Sequence, residues 1–319
     1  MKRLIQCILF ITIAVPVVAV AEEDCLSCHN RKGATGSADT LSLTGSVHGK
    51  LSCAECHPGM SASPHGRVAK VNCGICHFLG TGNAPTDQAR EYKLSVHGRA
   101  LASGNTAAPR CQTCHGSHAV YVSADERSKT HRTKIPSLCS TCHPNKIDAY
   151  SKSVHGRAFS EQNSPNAPTC FDCHQEHLVP PAGDKAWMLS LIRECGNCHH
   201  EQMRTYRKTY HGKVTQLGYV SMAKCSDCHG SHNILRVADP ESTLAPLHIL
   251  TTCRACHPNA TMGFTRFYAH ADETNRRKYP LLFYSYLFMT ALLIGTLSFF
   301  FIHTALWAYR ALKERKGGR

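Results

Sequence analysis

The sequence predicts a mainly α-helical chain with extensive loops, organised around bound groups in place of a large apolar core and ending in one transmembrane helix. Three observations lead there. Eighteen of the 19 cysteines fall in nine C-x-x-C-H motifs. No segment sustains the period-2 alternation of a half-buried strand. The stretch Leu281–Tyr309 holds no Asp, Glu, Lys or Arg, and it exceeds the roughly 20 apolar residues that cross a bilayer.

The N-terminus comes first. In "MKRLIQCILFITIAVPVVAVAEED", Lys2 and Arg3 precede an apolar run that closes on Ala19-Val20-Ala21. This is the pattern of a cleaved export signal over residues 1–21, with a mature start near Glu22. An uncleaved anchor helix is the alternative. Cys7, the one cysteine outside a motif, sits too early in the apolar run for a lipoprotein cysteine and leaves with the signal.

The motif cysteines are Cys25, Cys28, Cys53, Cys56, Cys73, Cys76, Cys111, Cys114, Cys139, Cys142, Cys170, Cys173, Cys195, Cys198, Cys225, Cys228, Cys253 and Cys256. The histidines that close the motifs are His29, His57, His77, His115, His143, His174, His199, His229 and His257. C-x-x-C-H is the attachment signature of c-type haem. Two thiols add to the porphyrin vinyl groups, and the adjacent histidine meets the iron from the proximal side. Zinc sites would not demand a histidine directly after the second cysteine nine times. Disulfides suit an exported chain but leave the histidines unexplained. The expectation is nine covalently bound c-type haems.

Residues 22–279 give 258 positions for nine haems, roughly 29 each. So little chain per haem leaves the porphyrins as the core, wrapped by short helices and by loops such as "LGTGNAPTD" and "LVPPAGD".

The chain also repeats. Three units share one plan: a His-Gly, a gap, a C-x-x-C-H with another histidine three residues on, then a second C-x-x-C-H. The gaps hold 13 residues from His97 to Cys111, 14 from His155 to Cys170 and 13 from His211 to Cys225. A shorter unit contains His48, Cys53, His65 and Cys73, and the motif at Cys25 precedes them all. The domain thus reads as one single-haem unit and four two-haem repeats.

Of 22 histidines, nine are proximal and 13 remain. Eight of these recur in the repeats: His48, His65, His97, His118, His155, His177, His211 and His232. His270, in "FYAHADE", makes nine distal candidates for nine irons. Glycine follows five of them and is expected to let backbone approach a porphyrin face. Propionate or backbone hydrogen bonding is the alternative role. His131 and His248 lie shortly before Cys139 and Cys253 and compete for the same duty. His200 reads as a surface or propionate contact. His303, inside the apolar stretch, reads as an interfacial residue beside Trp307 and Tyr309, with a quinone or a partner's haem b as the functional alternative.

The formal charge of +14 raises nucleic acid as a partner. Loss of Lys2 and Arg3 brings it to about +12, and nine bis-histidine haems bring it to roughly +3 oxidised and about −6 reduced. The excess therefore offsets propionates, and nucleic acid is excluded. After residues 280–309, the span, comes "RALKERKGGR" (310–319), a basic tail of the kind retained on the cytoplasmic side. The haem domain is then expected in the periplasm, held at the inner membrane by a single C-terminal pass.

The "SVHG…C-x-x-C-H-G-S-H" repeat resembles that of multihaem cytochromes c from anaerobically respiring and metal-reducing bacteria. The nonahaem domain joined through "HADETNRRKYPLLF" to a membrane helix is similar to the c-type part of cytochrome bc-type quinol-oxidising complexes. The resemblance implies a separate multihelix cytochrome b or other quinol-oxidising membrane subunit as partner, periplasmic cytochromes as acceptors, and electron transport in anaerobic respiration. It makes the chain an electron-transfer subunit, with no catalytic residue of its own. A multihaem reductase of nitrogen or sulfur oxyanions is the rival. It needs one open iron with acid–base groups nearby, and no C-x-x-C-K variant marks one. Structural or metal-storage roles leave the anchor unexplained.

Overall fold

The structure is a computed structural model that describes residues 25–29, 40–60, 65–66, 69–77, 87–162 and 164–317. The expected signal peptide, Cys7 and Glu22 lie outside the described residues. Two units make up the chain: Met1–Arg90 with Pro109–His131, and Glu91–Ala108 with Arg132–Arg319. This division cuts across the sequence repeats, because the histidine arm of the second repeat, Glu91–Ala108, belongs to the unit that follows it.

Among the described residues the ordered elements are helices, mostly of four to nine residues, and no strand is present. Seven of them are α1 (Gln88–Leu94), α2 (Val96–Ala102), α3 (Pro144–Lys152), α4 (Val154–Ser160), α5 (His200–Tyr206), α6 (Tyr210–Gln216) and α7 (Pro280–Gly317).

The first six form three hairpins with one local design. Ser95, Ser153 and Thr209 are the N-caps of α2, α4 and α6, and each side chain accepts from the N–H of the glycine that follows the histidine, Gly98, Gly156 or Gly212. The same hydroxyls donate back to the carbonyls of Tyr92, Tyr150 and Tyr206 at 2.6, 2.6 and 2.7 Å. One hydroxyl therefore satisfies two backbone groups at a buried corner, where an unpaired polar group is costly. A Cβ on Gly98, Gly156 or Gly212 would collide with those tyrosine carbonyl oxygens. The glycine expected to admit a porphyrin thus admits the preceding helix.

Few apolar side chains are buried. Among the described residues they are Ile135, Ala167, Ile192, Met203, Tyr206, Ala245 and Ala260. The one cluster among them joins Ile192, Met203 and Tyr206, with Leu189 and Cys225 packed against it. A domain of this length normally buries far more, so the expectation of a core supplied by bound groups agrees with the packing.

The last element, α7, spans 38 residues with a hydropathy of 1.9 over its most apolar window, and none of that window is buried. It is long and apolar enough to cross a membrane. The helix continues past Tyr309 into the basic tail as far as Gly317.

Candidate haem-binding sites

Several attachment motifs each form a single short α-helical turn, whereas those at Cys139, Cys195 and Cys253 begin in the last residues of a longer helix. Cys53–Cys56, Cys111–His115, Cys170–His174 and Cys225–His229 are helical, which puts cysteines three apart on one face. In these four the residue before the second cysteine caps the turn. Glu55, Thr113, Asp172 and Asp227 accept from the backbone N–H of Ser52, Arg110, Thr169 and Lys224 at 2.6, 3.0, 2.6 and 2.8 Å. Arg132 braces Asp172 and also donates to the Ala167 carbonyl at 2.6 Å.

The chain then turns sharply. The residue after the motif histidine has positive φ in three repeats: Gly116 (φ 84, ψ −172), Gln175 (φ 64, ψ 174) and Gly230 (φ 79, ψ −178). This turn leads to the histidine three residues on and points it away from its own motif.

Eight candidate histidines face a motif histidine. The pairs are His29–His65 (5.8 Å between ring centres), His77–His48 (6.1), His57–His118 (6.3) and His143–His97 (6.2). They continue with His199–His155 (6.1), His174–His232 (5.7), His257–His211 (6.1) and His229–His270 (6.3). Two imidazoles binding one metal from opposite sides keep their centres about 6.3 Å apart, from metal–nitrogen bonds of about 2.0–2.1 Å and about 1.1 Å from nitrogen to ring centre. The remaining motif histidine, His115, lies in the first unit and the remaining candidate, His177, in the second. The His177 Nδ1 is 4.0 Å from Glu91.

Protonation agrees with this geometry. Burial, then the facing imidazole, hold His48, His57, His97, His155, His174, His211 and His229 below the ordinary imidazole value. Burial also lowers His232 and His270. A neutral imidazole is the form that binds metal. At His65 and His270, Nδ1 lies 3.2 Å from a backbone carbonyl, of Gly66 and Gln202. A carbonyl only accepts, so Nδ1 carries the proton and Nε2 keeps its lone pair.

The pairing has a rule that spacing alone did not disclose. His-Gly histidines serve the second motif of their own repeat: His48 faces His77, His97 faces His143, His155 faces His199 and His211 faces His257. The histidine three residues after a motif serves an earlier one, so His118 faces His57 and His232 faces His174. His65 likewise reaches back, to His29. Backbone bonds lock the arms together, with Val47 N–H donating to Val120 O (2.9 Å), Val96 to Val179 (2.9 Å) and Val154 to Ile234 (2.8 Å).

Successive motifs also touch within each unit. In the first, His57 senses His29, Cys56 senses Cys76, and the Cys73 and Cys111 thiols hydrogen-bond. In the second, hydrogen bonds join Cys139 to Cys170 and Cys195 to Cys225, Cys173 lies beside Cys195 and Cys198, and Cys228 lies beside Cys253 and Cys256. Thiol contacts thus join the second motif of one repeat to the first motif of the next.

The family model described as cytochrome c7 and related cytochrome c matches residues 16–78, which carry the first three motifs. The match and the repeated Cys pairs on a helical fold support a multihaem c-type cytochrome. No curated protein and no solved structure matches it.

In such a cytochrome the cysteine pairs would hold haem through thioethers, and the motif histidines would bind the iron. The residues fit that group. Histidines come in twos at the separation that one iron imposes, and among the described residues no three or more His, Cys, Asp or Glu converge as a zinc site requires. All 18 motif cysteines are free of disulfides.

The spare histidines take other places. His248 is the N-cap of the helix Ile249–Arg254, His200 opens α5 at the surface, and His303 stacks on Phe299. None of these three, nor His131, replaces a candidate in the eight pairs.

Residues that a first reading of the sequence passes over complete the sites. The Tyr150 and Tyr206 hydroxyls donate to the carbonyls of Pro168 and Ala223, each two residues before a motif, at 2.8 Å. The signal was available as Y-x-x-[ST]-x-H-G, present at Tyr92, Tyr150 and Tyr206.

Proposed function

We propose that this is a membrane-anchored nonahaem cytochrome that carries electrons from the quinol pool, through a b-type membrane partner, to periplasmic or extracellular acceptors in anaerobic respiration. The observation that carries the reading is the set of eight facing histidine pairs. Haem iron, when bound, cycles between ferric and ferrous and moves one electron at a time. The facing histidines would hold the iron, which suppresses ligand exchange and favours outer-sphere transfer. Motif-to-motif thiol contacts support short hops within each unit. The pairing of His229 with His270, ten residues before Pro280, supports a site close to the membrane surface. Nine haems, the nine distal histidines including His177, and a cleaved signal at residues 1–21 are part of this proposal.

The test is low-temperature EPR of the oxidised holoprotein together with CO addition to the reduced form. Nine low-spin haems and no CO adduct are expected. A high-spin haem that takes CO would instead indicate an open iron and a reductase. Reduction by a quinol analogue in membranes that hold the b-type partner, and not in membranes lacking it, tests the direction of flow.

A further inference from the structure

The last repeat raises a problem of supply. The first motifs closed by His57 and His174 each face a histidine of the next repeat, whereas no C-x-x-C-H lies between His257 and α7 to bring such a histidine to His229. Its partner is His270, on the strap that joins the ninth motif to α7.

That strap is fastened to α5. The His270 Nδ1 lies 3.2 Å from the Gln202 carbonyl and 3.2 Å from the Thr205 hydroxyl. The Thr205 hydroxyl donates its own proton to the carbonyls of Glu201 or Gln202, leaving a lone pair for His270. Thr205 is only 4 % exposed. Arg204 meets Asp272 at 2.7 Å, and Lys208 pairs with Glu273. Asp272 in turn accepts from the backbone N–H and hydroxyl of Thr274 at 3.0 and 2.7 Å. The Tyr279 N–H then donates to the Asn275 carbonyl at the threshold of α7.

We propose that α5 is a positioning clamp for His270. Gln202 and Thr205 fix its tautomer and aim Nε2 at the iron held by His229. Arg204 and Lys208 hold the strap in register through Asp272 and Glu273. The segment that leads into the membrane thereby completes the eighth haem site and sets its potential. The proposal rests on reading His229 and His270 as an axial pair. Acceptors on Nδ1–H raise the basicity of the ligating nitrogen, which favours ferric over ferrous iron and lowers the potential.

Full-length, haem-loaded protein in nanodiscs provides the test. Thr205→Val removes one acceptor while keeping shape. One of nine haems is expected to rise in potential by up to a tenfold change in its ferric-to-ferrous ratio, about 59 mV. Thr205→Ser, which keeps the hydroxyl, restores the parent titration. The double variant Arg204→Met, Lys208→Met is expected to make one haem in nine CO-reactive. Should it fail to assemble, the valine and serine pair still decides. His270→Gly separates the two levels of the argument. If it opens one haem, closed again by added imidazole, while Thr205→Val leaves the titration unchanged, the clamp is overturned and the axial pair stands. If all nine haems stay low-spin in His270→Gly, the axial pair fails, and the clamp with it.

Discussion

Gln175 occupies a backbone position built for glycine. Its φ of 64° and ψ of 174° match Gly116 and Gly230 at the equivalent turns, and it is the one non-glycine residue with positive φ among the described residues. That region is nearly closed to residues with a Cβ, at a cost of about 1–3 kcal/mol. Glycine brings its own penalty of roughly 0.5–1 kcal/mol through unfolded-chain entropy. Gln175→Gly should therefore stabilise the protein by about 0.5–2 kcal/mol. With a guanidinium m-value of about 4 kcal/mol/M, the midpoint rises by roughly 0.1–0.5 M. Denaturation followed through the low-spin haem absorbance reads it. The reciprocal change, Gly116→Gln, has room for a Cβ, whose nearest neighbour would be the Ala119 carbonyl oxygen at 3.4 Å. It isolates the backbone term and should cost about 1–3 kcal/mol. Neutral outcomes at both positions would refute the strain.

Three further outcomes follow from the sites. Gly156→Ala forces a Cβ into the Tyr150 carbonyl on the neighbouring helix; it should cost about 1–3 kcal/mol or more and, by displacing His155 from His199, make one haem CO-reactive. His211→Ala should open one haem in EPR and CO assays, whereas His200→Ala and His248→Ala leave every haem low-spin. Deleting residues 280–319 should move the protein from the membrane to the soluble fraction with its haem count by mass spectrometry unchanged, since His270 and the strap are retained.

Much of this architecture is written locally. C-x-x-C-H needs only a helical turn, so helices at the motifs are readable from spacing, and the absence of alternation foretells the lack of strands among the described residues. The candidate distal histidines stand out because they recur. Which motif each one faces is not local. His118 looks across 61 residues to His57, and His97 looks forward 46 to His143; the choice depends on the positive-φ turn and on bonds such as Val154 to Ile234 between distant segments. The glycine after each histidine was legible as a close approach, but not the object approached. At Gly98, Gly156 and Gly212 that object is a helix end, while Gly66 has nothing within 4 Å of a built Cβ. His65, the least regular by position, reaches His29 across a stretch of chain with no repeat to guide it.

The interlocked wiring has a consequence for how the molecule is made. A ribosome releases the chain from its N-terminus, so His57 gains its partner only after 61 further residues have been added, and His174 only after 58. A chain that ends between His57 and His118, or between His174 and His232, thus carries a first motif whose facing histidine has not yet been synthesised. A product truncated within either interval would lack one member of a facing pair at its trailing edge. The final gap is closed by His270, immediately before the anchor is synthesised. Under the proposed function, completion of the last facing pair and attachment to the membrane would be nearly the same event in the life of the polypeptide.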